Sequence, residues 1–150
     1  MGGHPHWYFV PYQEDLQAAL DALRAREFAA GRYNPVVPFV DCAEGALLAQ
    51  GPGSKHPSID AAVAAAGENG TRSILDVVRV GPVARYGTAA PFPAGLLVKW
   101  YGTATPTHAQ LSGNLGLLGD LGRGQSAYVI VHADGAPSEI LFVTRSVDID

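Results

Sequence analysis

Charge is what this chain has least of: only 16% of its 150 residues are Asp, Glu, Lys or Arg, against roughly 25% in an average domain. The ten basic residues are eight arginines and two lysines, scattered so that no three cluster, and the net charge is −4. A nucleic-acid surface needs a basic stripe to neutralise phosphates, so no nucleic-acid partner is expected. Sparse charge also leaves little polar surface for the exterior, which favours covering part of it with another protein or a second copy of the chain.

Cysteine is nearly missing too. Cys42 stands alone, so no internal disulfide can form, and a reducing cytoplasmic setting is expected. No apolar run approaches the 18 residues a membrane-spanning helix needs. The opening "MGGHPHWYFVPY" has neither a basic n-region nor an apolar h-region, so no secretory leader is expected. The excess of Arg over Lys, with the Ala and Gly bias, points to a bacterial source. Four short catalytic signatures are absent: G-x-S-x-G, H-E-x-x-H, C-x-x-C and a paired-carboxylate pattern. Nothing calls for a cofactor.

What remains is 47% hydrophobic, with 18 Gly and 11 Pro, a globular rather than a disordered composition. The length suits one domain over residues 1–150, long enough to bury about 68–70% of its unfolded surface. The aromatic, β-rich "HWYFVPY" reads as a first strand, with Pro11 at its end or an edge. Leu16, Ala19, Leu20 and Leu23 in "QEDLQAALDALRAREFAAG" share one helix face, with Glu14 and Asp15 at its start and Gly31 closing it. Residues 36–41 suggest a short edge strand, and residues 51–58, "GPGSKHPS", a loop. Ser58 caps a helix whose Ile59, Ala62, Val63 and Ala66 point inward and which Gly67 closes. "RSILDVVRVG" predicts a strand, with Ile74, Asp76, Val78 and Val80 on one face. "LLVKWYG" predicts a two-turn helix ending at Gly102. "ATPTH" predicts a helix start, with Thr105 as N-cap and Pro106 at N1. The last two β-rich runs flank Asp134-Gly135, a hairpin signal with a loop longer than two residues. The whole reads as α+β: a mostly antiparallel sheet of about four or five strands, helices packed on one face, and a C-terminal β-hairpin.

The segment "GNLGLLGDLGRG" sets a glycine at every third position, Gly113, Gly116, Gly119 and Gly122, and a leucine at Leu115, Leu118 and Leu121. Four triplets without proline do not make collagen. Within this segment Gly122-Arg123-Gly124 is the sole G-x-G, and a strand rather than a helix follows it, so a phosphate loop is not supported. A helix from Pro106 places Leu111, Leu115 and Leu118 on one side and lets Gly122 and Gly124 end it. Its interior glycines cost about 1 kcal/mol each relative to alanine, so it needs tertiary packing. The competing picture is a mobile flap over a pocket.

Candidate chemistry is thin. In "GGH" the His4 nitrogen, two amides and a free Gly2 amine suit Cu(II) or Ni(II), but Met1 displaces the amine, so no metal site is expected. Cys42, with Asp41 and Glu44 beside it, has neighbours that raise a thiol pKa, and a structural role is expected even with His56 downstream. Trp100 and Tyr101 read as core aromatics, and His132 as a strand residue. "GPGSKHPS" sets glycine amides, Lys55 and His56 before a helix N-terminus, a combination suited to a phosphate or carboxylate. Arg72 and His108 complete the candidate ligand-binding set. Two functions follow. The leading one is a non-enzymatic module binding another protein, in an accessory, regulatory or toxin-neutralising role. The alternative is a small-molecule or phosphate-binding protein, with hydrolysis as one outcome, in which Lys55, His56, Arg72 and His108 share one concave pocket.

Overall fold

The computed structural model describes residues 4–33 and 53–147. Cys42, the strand expected over residues 36–41, and Gly51 and Pro52 of the candidate anion loop lie outside the described residues. The chain is an α+β protein. Five strands of the described residues form one sheet: β1 (Pro5–Pro11), β2 (Arg79–Val80), β3 (Thr88–Pro91), β4 (Ser126–Ala133) and β5 (Ala136–Arg145). Their order is β1-β5-β4-β3-β2, with β1, β5 and β4 antiparallel and β4, β3 and β2 parallel. The sheet is therefore mixed, not mostly antiparallel.

Among the described residues four α-helices flank it: α1 (Leu16–Ala30), α2 (Ile59–Ala66), α3 (Ala94–Tyr101) and α4 (His108–Gly113). They lie on both faces, which corrects the expectation of one. Alternate residues of β5 decide this. Ile140 and Phe142 pack with Ala19, Leu20 and Leu23 of α1. Leu141 and Val143 pack with Leu97 of α3, Leu111 of α4 and Leu117. A strand buried on both sides carries an unbroken apolar run, and "ILFV" is that run. A smaller cluster of Tyr33, Ala62 and Leu75 seats α2.

Local chemistry explains where elements begin and end. Asp15 caps α1 by accepting the Ala18 N–H at 2.9 Å, and Gly31 ends it at φ 74°. Ser58 caps α2 through the Ala61 N–H. Gly102, at φ 75°, closes α3. The hairpin turn is tighter than expected: Asp134 (φ 53°) and Gly135 (φ 79°) are its two residues, since Ala133 pairs with Ala136. Two successive positive φ values make a type I′ turn, whose twist matches that of the strands. A register shift between Val131 and His132 then accommodates Pro137 in β5.

Two expected elements fail for the same reason: side chains compete locally for backbone donors. The strand read in "RSILDVVRVG" is a 3-10 turn over Ile74–Asp76, and only Arg79–Val80 is strand. Ser73 Oγ accepts the Leu75 N–H at 3.1 Å, and the Asp76 carboxylate reaches back to the Thr71 N–H at 2.8 Å. The long helix from Pro106 divides into α4 and a 3-10 turn over Gly116–Asp120. Its cap is Thr107, in a capping box with Gln110. Pro106 stays outside, its carbonyl accepting the His132 N–H at 3.0 Å. Asn114 breaks the helix, with its Oδ1 holding the Gly116 N–H at 2.9 Å.

Candidate functional site

The four residues chosen from the sequence are divided between the two faces of the sheet. Lys55 and His56 stay together around Tyr33. The Tyr33 hydroxyl shares a 2.8 Å hydrogen bond with His56 Nδ1 and accepts the Lys55 N–H at 2.9 Å. Lys55 Nζ also donates to the Gly53 carbonyl at 2.5 Å. Arg72 sits in the turn before Ile74, exposed and at φ 53°, with its backbone N–H on the Asp76 carboxylate. His108 belongs to the opposite layer, where its Nδ1 lies 2.8 Å from Glu139 Oε1 and its ring 4.1 Å from Phe9. No pocket lined by the described residues gathers all four.

The remaining sequence candidates find structural partners. Trp100 donates its indole N–H to Asp120 Oδ2 at 2.6 Å, and Tyr101 its hydroxyl to the Asn114 carbonyl at 2.6 Å. Together they fasten α3 to the chain after α4. His132 Nδ1 lies 3.1 Å from its neighbour Ile130's carbonyl. The His4 N–H donates to Ser146 Oγ at 2.7 Å. Among the described residues no three His, Cys, Asp or Glu side chains gather as a metal site would require.

The richest buried polar cluster is at the sheet end where β3 and β4 begin. Asp76 accepts the Thr71 N–H and hydroxyl, both at 2.8 Å, while Thr71 Oγ1 also lies 2.8 Å from Ser73 Oγ. Burial pushes the Asp76 carboxyl above the usual aspartate range despite these donors. Beside it, Ser126 and Thr144 share a 2.7 Å hydrogen bond. The cavity that Asp76, Ser126, Thr144, Ser146 and Tyr86 enclose is only about 10 Å³, which is room for one water molecule. This cluster fixes the turn over residues 70–76. It has no space for a substrate.

Space of a useful size lies elsewhere. A groove of about 430 Å³ opens between the β2–β3 connection and the α3 layer, within the range of ligand-binding clefts. Pro82, Val83 and Ala84 form one wall. Phe92, Pro93 and Leu96, at the β3–α3 junction, form the second, and Asp120, Leu121 and Gln125 the third. Asp120 and Gln125 are already engaged, by the Trp100 indole and by the Gly122 N–H at 2.6 Å. Val83 is 57% exposed, Tyr86 of the same connection 58%, and Val78, just before β2, 48%. Exposed Arg85 adjoins the first wall and exposed Arg123 lies between Leu121 and Gln125 of the third.

Sequence reasoning passed over this groove because "GPVARYGTAAPFPAG" reads as a Gly/Pro connection. Its signal was the large apolar side chains in that connection, since exposed apolar clusters, not exposed polar loops, are informative. No protein-family model, curated protein or solved structure matches the chain. Its chemistry is therefore read from the groove alone.

Proposed function

We propose that this domain is a non-enzymatic binding module whose groove takes an extended apolar segment of another protein, with carboxylates flanking that segment. One observation carries the reading: an apolar cleft of about 430 Å³ with exposed Val83 on its wall, and two exposed arginines, Arg85 and Arg123, close in sequence to its lining residues. Apolar residues enter the cleft, and the arginines pair with acids on either side and steer encounter. An accessory, regulatory or toxin-neutralising role in a bacterial cytoplasm fits such a surface. No helix among the described residues is long and apolar enough to cross a membrane, and the lone Cys42 suits a reducing compartment.

Selection from a displayed random-peptide library tests the proposal. Recovered peptides are expected to combine an apolar core with Asp or Glu and to shift amide resonances of residues 82–96 and 120–127. Val83→Glu, which puts a charge on the wall, and Arg85→Glu, which inverts the rim, should each weaken binding at least tenfold. Peptides that bind both variants as tightly as the parent, or that map to Tyr33 and His56, would overturn the groove assignment.

A further inference from the structure

The outer edge of β1 has a hydrogen-bonding pattern that its sequence makes self-complementary. Ser146 donates its N–H to the His4 carbonyl at 2.9 Å, and Tyr12 donates its N–H to the Ser138 carbonyl at 3.1 Å. The β1–β5 register runs unbroken between these bonds. Residues His6, Tyr8 and Val10 therefore turn their backbone groups inward to β5, and Pro5, Trp7, Phe9 and Pro11 turn theirs outward. Among the described residues no strand pairs with that edge. Two of the four outward positions are prolines, which have no N–H to strand, so the outward donors are those of Trp7 and Phe9 alone.

Edge strands are ordinarily blunted by charge, proline or a bulge. Here the prolines stand only at the strand's two ends, no bulge interrupts its register with β5, no Asp, Glu, Lys or Arg occurs from His4 to Tyr12, and Trp7 is 43% exposed. The prolines stand three residues to either side of Tyr8. We propose that two copies of this chain pair through β1, antiparallel, about a two-fold axis at Tyr8, so that the two sheets become one. That alignment overlaps all seven strand residues. It sets Trp7 opposite the partner's Phe9 and Phe9 opposite the partner's Trp7, and each pair exchanges two N–H···O=C bonds. The aromatic side chains then meet as cross-strand pairs on the α4 face, a favourable arrangement. Each molecule carries a charge of −4, yet the contact brings no charged side chain of the strand near its copy. One short strand pair falls in the small interface class, under roughly 1,200 Å², so the dimer dissociates on dilution. The inference uses a different surface from the groove and stands independently of it.

Sedimentation analysis of the whole chain between micromolar and near-millimolar concentration tests this. The weight-average mass should climb towards twice the chain mass. Trp7→Pro removes an outward donor and no bond to β5, and Trp7→Lys leaves the backbone intact but adds a charge at the centre of the contact. Both should melt cooperatively, and both should raise the dissociation constant more than tenfold. In parallel, amide exchange at Trp7 and Phe9 should slow as concentration rises, while His6, Tyr8 and Val10 stay protected throughout. A wild-type chain that remains monomeric over the whole range, or a dimer equally tight in both variants, would overturn the proposal.

Discussion

Three ionisable side chains show how burial and pairing pull stability in opposite directions with pH. Glu27, with its side chain 4% exposed, holds Arg32 through two 2.8 Å hydrogen bonds and Arg26 through one of 3.0 Å. The Arg32 bonds, more than Arg26, keep its pKa below the usual glutamate range. A depressed carboxyl stabilises the fold above its unfolded value, and that contribution is lost as pH falls through the folded one. Asp76 has the opposite sign. Burial raises its pKa, so its contribution is full below the unfolded value and is lost as pH rises through the folded one. Tyr8 follows the same rule at the alkaline end, where burial pushes its phenol up to about 12. Urea unfolding of Glu27→Gln should give a lower midpoint than wild type at pH 7, the two converging only as pH falls through the lowered folded value. Asp76→Asn keeps an acceptor oxygen for the Thr71 N–H, and it should flatten the decline in stability that wild type suffers between acidic and neutral pH. A Glu27→Gln profile parallel to wild type at every pH would refute the first assignment, and an unchanged Asp76→Asn profile the second.

At the scale of elements, the Gly-Leu triplets separate spacing from cause. Of the four glycines only Gly116 is held by a close neighbour that cannot yield: a Cβ there would lie 2.5 Å from the Trp100 ring. Gly113 and Gly119 meet nothing within 4 Å. Gly116→Ala should therefore destabilise by about 1–3 kcal/mol through overpacking. Gly119→Ala should stay within about 1 kcal/mol of wild type and tend to stabilise, because alanine restricts the unfolded chain. Thermal melts of the two variants check this, and equal losses would show that the indole is not the constraint. The same segment shows what the sequence made legible. Helices α1, α2 and α3 and the Asp134-Gly135 turn announced themselves because their caps and turn residues act within a few positions. The strand expected at Ile74 and the long helix from Pro106 were misread because Ser73, Asp76 and Asn114 divert nearby N–H groups, and an apolar pattern does not record that. Lys55 and His56 were legible as neighbours, but their hold on Tyr33 was not. The groove was illegible as a whole, since its three walls come from separate stretches that only the fold brings together.

The whole molecule turns on β5, whose Ile140, Leu141, Phe142 and Val143 are fully buried between two helical layers. Neither layer can leave without exposing one side of that strand. Detaching the α1 layer would uncover Ile140 and Phe142 together with Leu20, Leu23, Ile74 and Val77. At roughly 1.5–3 kcal/mol for each buried side chain, the loss is on the order of 10 kcal/mol. That equals the entire stability of an ordinary domain, about 5–15 kcal/mol, so a half-detached state holds no appreciable population. The two layers should unfold as one unit, although their clusters share no helix. Trp100 fluorescence, isolated in a Trp7→Phe background, reports on the α3 layer, and far-UV circular dichroism is weighted towards α1, the longest described helix. Urea curves from the two probes should superimpose with a common midpoint and slope. Separated midpoints would mean that β5 couples the layers less than its burial implies, and that the α1 side can open while the groove and its α3 wall stay folded.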